Sequence, residues 1–270
     1  MTDDTRASLR ASAHPPAPRW VLRAPPDRAA AESLAAELGL PLALCAVLVQ
    51  RGSAEVETAK RFLRPLPEDL PDPSRIKHLR RAADRIRDAI SVGEPIFVHG
   101  DYDVDGVCAA TLLTRWLRRL GATVEPFVPH RLRDGYDLSA SGIERARAAG
   151  AGVLVTVDCG IVAHEAVAAA TSAGLDVIVT DHHTPTDTLP AAHAVVNPNR
   201  SDDTSGYGML CGAGVAFALV MELAGRAGHP VEDLLPDLDL VALATVADLV
   251  PLEGPNRALV RYGLRALART

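Results

Sequence analysis

The sequence predicts an α/β protein built on a parallel, doubly wound sheet of Rossmann type, with a helical extension before it and a helical part after it. Two observations lead there. Residues 95–99 (PIFVH), 122–128 (ATVEPFV), 152–157 (GVLVTV) and 175–180 (LDVIVT) are short runs that are apolar almost throughout. Helical patterns alternate with them. Strands without a polar face belong to sheets that are covered on both sides, and the strand–helix alternation supplies that cover.

From the N-terminus, residues 1–19 are polar and proline-rich and read as a flexible tail. Residues 28–39 (RAAAESLAAELG) form a helix with a glycine stop. Two more short helices are expected over 41–51 and 54–63, then a proline-rich connection over 65–73 (PLPEDLPDP). This divides the chain into the tail, a helical segment over 20–73 and a main domain over 74–270. The main domain opens with a basic amphipathic helix over 74–92, with Ile76, Leu79, Ala83, Ile86 and Ile90 on one face. Helices over 105–120, 139–149 and 162–173 separate the strands, His193–Val196 adds a fifth strand, and 212–228, 231–247 and 255–268 are helical.

Composition sets the outer bounds. The chain has 270 residues, of which 48% are apolar and 23% charged, an ordinary globular mixture with enough material for a sizeable core. No apolar run reaches the roughly 20 residues a membrane span needs, and the first residues have no apolar signal-peptide core, so a cytoplasmic protein without membrane contact is expected. Cys45, Cys108, Cys159 and Cys211 are widely spaced and form no CxxC pair, which reads as reduced, buried thiols. A net charge of −6 excludes a globally basic nucleic-acid binder but not a local basic groove. Lys60 and Lys77 are the only lysines, so arginine carries nearly all the positive charge. Aromatics at 4% are thin for a platform that stacks single-stranded bases.

The chemistry sits where the strands end, the edge at which open α/β sheets bind ligands. The first strand runs into His99-Gly-Asp101-Tyr-Asp103-Val-Asp105-Gly, the third ends at Asp158, and the fourth ends at Asp181-His182-His183. Asp248 lies near a helix end in ATVADLVPL. Carboxylates this close raise one another's pKa unless cations compensate them. The mixed imidazole–carboxylate set favours Mn²⁺, with Mg²⁺ or Fe²⁺ also suitable, over structural zinc. Two divalent ions about 3.5–4 Å apart can activate water and stabilise a leaving oxygen in phosphoryl displacement. An EF-hand is excluded, because no glutamate occupies the twelfth loop position.

FVHGDYDVDG, VTVDCG, VTDHH and ATVADLVPL resemble the four signature motifs of the DHH phosphoesterase superfamily, and within it the RecJ family of single-stranded-DNA 5′→3′ exonucleases. VPHRLRDGYDLS (128–139), NPNRSDD (197–203) and CGAGVAFAL (211–219) support the RecJ branch. The resemblance implies two divalent metal ions. His99, Asp103 and Asp158 would hold one; Asp105, Asp158, His182 and Asp248 would hold the other, with Asp158 shared. His183 would contact the scissile phosphate and, with Asp158, form the catalytic pair. Asp181 would orient an imidazole from behind the ligands, and Asp101 would stand behind them too, unless a shifted loop register exchanges it with Asp103. Arg131 would hold a DNA phosphate. The implied setting is DNA repair and recombination, with single-stranded DNA as substrate and a helicase and a single-strand-binding protein as partners.

Other features stay open at this level. Gly212-Ala-Gly214 opens a helix whose free N–H groups either receive a phosphate or mark close packing. Arg115, Arg118 and Arg119 read as a solvated helix face in preference to a DNA groove. His14, His164, His193 and His229 match no motif. Two places depart from the family pattern: Asp137 replaces the second glycine of a Gly-Tyr-Gly, where an inward-pointing carboxylate would weaken substrate binding, and Gly254-Pro-Asn-Arg257 replaces Gly-Glu-Asn-Arg. The family's second substrate-binding domain and OB-fold are expected to be absent. The alternatives are a DHH phosphodiesterase acting on short oligonucleotides, cyclic dinucleotides or pyrophosphate, or a metal-loaded domain without turnover.

Overall fold

A computed structural model describes residue 19 and residues 21–269. The tail expected over 1–19 therefore falls outside the described residues except for Arg19, as does His14. The chain forms two compact units, residues 1–59 and 60–270. In the first, α1 (Arg28–Leu38) starts at Asp27, whose carboxylate accepts the Ala30 N–H, and stops at Gly39 in the left-handed conformation. α2 (Leu42–Gln50) comes next, and Ala31, Leu34, Cys45 and Leu48 are buried. α3 (Val56–Leu63) carries the unit boundary.

That boundary precedes the proline-rich connection where the composition placed it. Within the second unit, the Arg257 and Arg261 guanidiniums donate to the Phe62 and Leu63 carbonyls, and Leu70 enters the main core. Residues 60–73 thus belong to the sheet-bearing unit.

The second unit holds one five-stranded parallel sheet of β1 (Ile96–His99), β2 (Val124–Phe127), β3 (Val153–Val157), β4 (Asp176–Thr180) and β5 (Ala194–Val196). Its order is β2-β1-β3-β4-β5. Successive side chains of a strand alternate between faces, and two separate cores result. Ile96, Val98, Val153, Val155, Val157 and Ile178 enter the larger one with α4 (Leu79–Val92), α5 (Val104–Arg119), α8 (Gly212–Arg226), α9 (Leu238–Ala247) and α10 (Gly254–Leu267). Phe97, Leu154, Val177, Val179 and Val195 enter the other with α6 (Ala140–Ala148) and α7 (His164–Ser172). The apolar strands are explained by burial on both faces. The edge strand β2 is the exception: Glu125 and Pro126 are exposed there, where a missing N–H is tolerated.

Two helices differ from expectation. The helix expected from 74 starts at Leu79, because a 3-10 turn (Pro73–Arg75) and a left-handed His78 precede it. The one expected over 231–247 is a 3-10 segment (Val231–Asp237) followed by α9; Pro236 lacks the N–H that continuous α-helix requires. All four cysteines are free and buried. No helix among the described residues is long and apolar enough to cross a membrane.

Candidate metal centre

The chain leaves β1 for the edge at β2 and returns across β1 to β3, so the topological switch point lies between β1 and β3, where doubly wound sheets bind ligands. His99 ends β1 and is fully buried, packed edge-on to Phe127. Any side chain at Gly142 would lie 2.4 Å from the imidazole, so this ring needs a glycine beside it. Burial pushes the His99 imidazole down to about 4, which keeps it neutral and able to ligate. Asp103 caps α5, its carboxylate accepting the Gly106 N–H at 2.9 Å.

Asp105, in the first turn of α5, is buried and accepts the Gly212 and Ala213 N–H groups at 2.6 and 2.7 Å. This answers the question left open at Gly212-Ala-Gly214: the helix N-terminus does bind an anion, and the anion is the carboxylate of Asp105. Gly212 is also a packing residue, since a Cβ there would lie 2.5 Å from the Asp158 side chain.

Asp158 stands just after β3 in the left-handed conformation, with φ 62°. Burial, then the neighbouring Asp105, Asp103 and Asp181, raise its pKa far above the usual carboxylate range. After β4, Asp181 accepts the Ile161 N–H with one oxygen, and the His182 and His183 N–H groups and His183 Nδ1 with the other. Burial alone would raise Asp181, but these bonds, led by the one from the His183 ring, hold it low. In return the bond to Asp181 raises His183 against burial. His183 Nδ1 is thereby committed to Asp181 at 2.8 Å, and the ring is 44% exposed on its other side.

His182 Nε2 faces three carboxylates: Asp158 at 3.1 Å, Asp105 at 3.7 Å and Asp248, just after α9, at 3.8 Å. Three ligand groupings result, each with its atoms within 4.8 Å of one another: Asp105–His182–Asp248, Asp158–His182–His183 and Asp101–Asp103–Asp158. Among the described residues, six buried side-chain polar atoms lack a hydrogen-bond partner. Four of those are here: His99 Nε2, Asp101 Oδ1, Asp158 Oδ1 and His182 Nε2. Buried atoms of this kind are costly unless something absent from the polypeptide satisfies them. Acceptor carboxylates and neutral imidazoles suit divalent cations.

Every residue singled out as a ligand thus lies at this edge. Asp101 is placed differently from the sequence reading, since its carboxylate joins Asp103 and Asp158 while His99 stands in none of the three groupings. Arg131 is exposed, its guanidinium 5.2 Å from the centre of the Tyr102 ring. Arg115 and Arg119 pair with Asp237 and Asp233, and Arg118 donates to the Val124 carbonyl, so this helix face serves the protein's own surface. His164 contacts Thr186, and His229 contacts Asp233 and the edge of Trp116, both away from the centre. Asn256, in the second departing motif, donates to the Met209 and Pro251 carbonyls, a structural task. Sequence reasoning missed the role of Asp137: its carboxylate accepts the Gly160 and Leu138 N–H groups at 2.7 and 2.8 Å. Its only signal in the sequence is that it stands where the family has glycine.

Residues 95–245 match the model of the DHH family, N-terminal domain, which is more than half of the chain. The chain belongs to the DHH family. Among curated proteins it is similar to the single-stranded-DNA-specific exonuclease RecJ of Bacillus subtilis, with 39% identity over 93% of this chain and 31% of that protein. The RecJ of Thermus thermophilus is 40% identical over 91% of this chain and 35% of that one. The chain thus spans about a third of the length of these relatives. Among solved structures, the Thermus thermophilus RecJ in complex with Mn²⁺ superposes with a TM-score of 0.75 at 37% identity, over 92% of this chain and 34% of that one. An exonuclease RecJ bound to manganese gives 0.65 at 43% identity, over 74% and 49%. A Thermus thermophilus RecJ complex with Mg²⁺ also gives 0.65, at 34% identity over 92% and 31%.

Proposed function

We propose that this chain is the metal-bearing part of a single-stranded-DNA-specific 5′→3′ exonuclease of RecJ type, acting in the cytoplasm in DNA repair and recombination. The observation that carries the reading is the convergence of four partnerless buried polar atoms, three on candidate ligands and one on the adjacent Asp101, on the switch point of the sheet. His99, Asp103 and Asp158 would hold one divalent ion, with Asp101 beside them; Asp105, Asp158, His182 and Asp248 would hold the second. Mn²⁺ or Mg²⁺ suits this donor set and is bound in the RecJ structures named above. Bound there, divalent ions supply Lewis acidity and a lowered water pKa for phosphodiester hydrolysis.

The chain's own residues do the rest. Asp105 is held by two helix N–H groups, which fixes its free lone pairs. The Asp181 carboxylate accepts Nδ1–H of His183 and raises the ring's pKa, and in the protonated ring Nε2–H is left to donate to a phosphate oxygen as its charge grows. Arg131, beside Tyr102, would hold a neighbouring DNA phosphate. Single-stranded DNA is the substrate of this reading, and a helicase and a single-strand-binding protein are its partners.

The test offers the purified chain, with Mn²⁺, 5′-labelled single-stranded DNA, duplex DNA, a dinucleotide and pyrophosphate. Selective loss of single-stranded DNA, abolished by Asp158→Ala, is expected. Undiminished turnover by Asp158→Ala would overturn the site, and cleavage of only the small substrates would overturn the substrate.

A further inference from the structure

The turn after β3 is held from outside itself. Asp158 and Gly160 both lie in the left-handed region, at φ 62° and 104°. The first is an aspartate, which carries a conformational penalty there. Besides the longer contacts of the Cys159 thiol to His99, four N–H and O–H hydrogen bonds fix the turn. Asp158 N–H donates to the Thr180 carbonyl, Thr156 Oγ1 donates to the Cys159 carbonyl, Ile161 N–H donates to Asp181, and Gly160 N–H donates to Asp137. The first three partners belong to β3, β4 and the residue just after β4. The fourth arrives from a different part of the chain, the segment 128–139 that joins β2 to α6.

Leu138 anchors the end of that segment in the smaller core, which Ile161 also joins, and the residues before Asp137 have few other holds on the centre. Arg131 rests over the Tyr102 ring, and Tyr136 meets the same ring edge-on at 6.1 Å. Arg131, Leu132, Arg133 and Tyr136 are exposed. Asp137 itself sits at φ 69°, a position a glycine would occupy without strain. A non-glycine residue kept in such a conformation indicates a task for its side chain. Here that task is visible: one carboxylate oxygen accepts from Gly160 at 2.7 Å and from Leu138 at 2.8 Å.

We propose that Asp137 is a positioning residue: its carboxylate ties the exposed segment carrying Arg131 and Tyr136 to the turn that carries Asp158. The tie keeps the phosphate-holding segment in register with the metal ligands. The role in turnover rests on the function proposed above; the tie itself does not. Because three other bonds still hold the Asp158 turn, losing the tie frees the segment more than the turn. Substrate binding should therefore suffer more than the chemical step.

Three substitutions separate strain from tie. Asp137→Asn keeps an acceptor oxygen and tolerates the left-handed region. Asp137→Gly relieves the strain and removes the oxygen. Asp137→Ala keeps the strain and removes the oxygen. The first readout, independent of activity, is tryptic cleavage after Arg131 and Arg133 followed by mass spectrometry. Cleavage about tenfold faster in the Gly and Ala variants is expected, the scale of one hydrogen bond to a charged acceptor, with the Asn variant near the parent protein. The second readout is Mn²⁺-dependent hydrolysis of single-stranded DNA, where the Gly variant should raise KM about tenfold and leave kcat within about twofold. Parent-like protection of the Gly variant, or an Asn variant as labile as the Gly one, would overturn the tie. Faster proteolysis with an unchanged KM would overturn the positioning role. A parent chain that degrades no DNA counts against the proposed function alone, since the tryptic series still decides the tie.

Discussion

Gly212→Ala is the most pointed perturbation of the centre. The new Cβ would stand 2.5 Å from Asp158 Cβ and Oδ1, where ordinary contact begins at 3.4 Å. One of the two must therefore move by about 1 Å. Neither is a flexible tip: Gly212 opens α8 and its N–H is bound to Asp105, while Asp158 is buried in a turn held by four hydrogen bonds. Overpacking of this kind costs about 1–3 kcal/mol, partly offset by up to about 1 kcal/mol from alanine's better helix propensity. The metal-free protein should lose about 1–2 kcal/mol, or roughly 2–8 °C in Tm for a chain of this size. The functional loss should be larger, since misplacing a reacting group by about 1 Å costs on the order of 100-fold. Gly225→Ala is the control: it lies on the same helix, a Cβ there meets nothing within 4 Å, and the variant should be neutral or slightly stabilised. The assay is thermal melting of both variants with and without excess Mn²⁺, where a ligand that binds only the native state raises Tm. The parent and Gly225→Ala should show a clear rise and Gly212→Ala little or none. A Gly212→Ala protein with the parent's Mn²⁺ response would refute the account of Asp158 packed against the start of α8.

Two further predictions concern charge. A carboxyl whose native pKa is raised costs stability above its unfolded value, so Asp158→Asn should melt roughly 2–4 °C higher than the parent in EDTA, yet gain nothing from Mn²⁺ and hydrolyse nothing; a lower metal-free Tm would contradict the burial cost assigned to that carboxylate. His78 Nδ1 accepts from Val195 N–H and Arg200, at 3.2 and 3.0 Å, so it must stay unprotonated to hold β5. Burial first, then Arg200, Arg81 and Lys77, lower its pKa against a weaker opposing pull from Asp202. A depressed histidine leaves its stabilisation intact above the unfolded value of about 6.5 and loses it as pH falls below that. Tm measured from pH 7.5 down to 5 should therefore fall less steeply in His78→Gln than in the parent, and identical slopes would exclude His78 as a contributor.

Some of the site could be read directly. The runs ending in His99, Asp158 and Asp181-His182-His183 are local patterns, and a strand that is apolar on both faces announces its own burial. Motif resemblance carried the ligands the rest of the way, including Asp248, which carries little signal as a lone aspartate at a helix end. The break at Pro236 was legible in principle, since proline cannot continue an α-helix, but the apolar pattern ran through it.

The sequence by itself determined the strands, most helices and the fold class, because these depend on spacing within a few residues, and its motifs, through their resemblance to a family, nominated the residues that could ligate a metal. The tertiary structure alone decided the order β2-β1-β3-β4-β5 and, with it, which strand ends meet. It alone brought Gly212 and Ala213 to the carboxylate of Asp105, set Asp101 beside Asp103 and Asp158, and carried Asp137 to Gly160. The first and last of these join groups far apart in the chain through backbone N–H donors that every residue except proline possesses. They leave no mark in composition or periodicity, and only closing the sheet and its helices around one edge makes them.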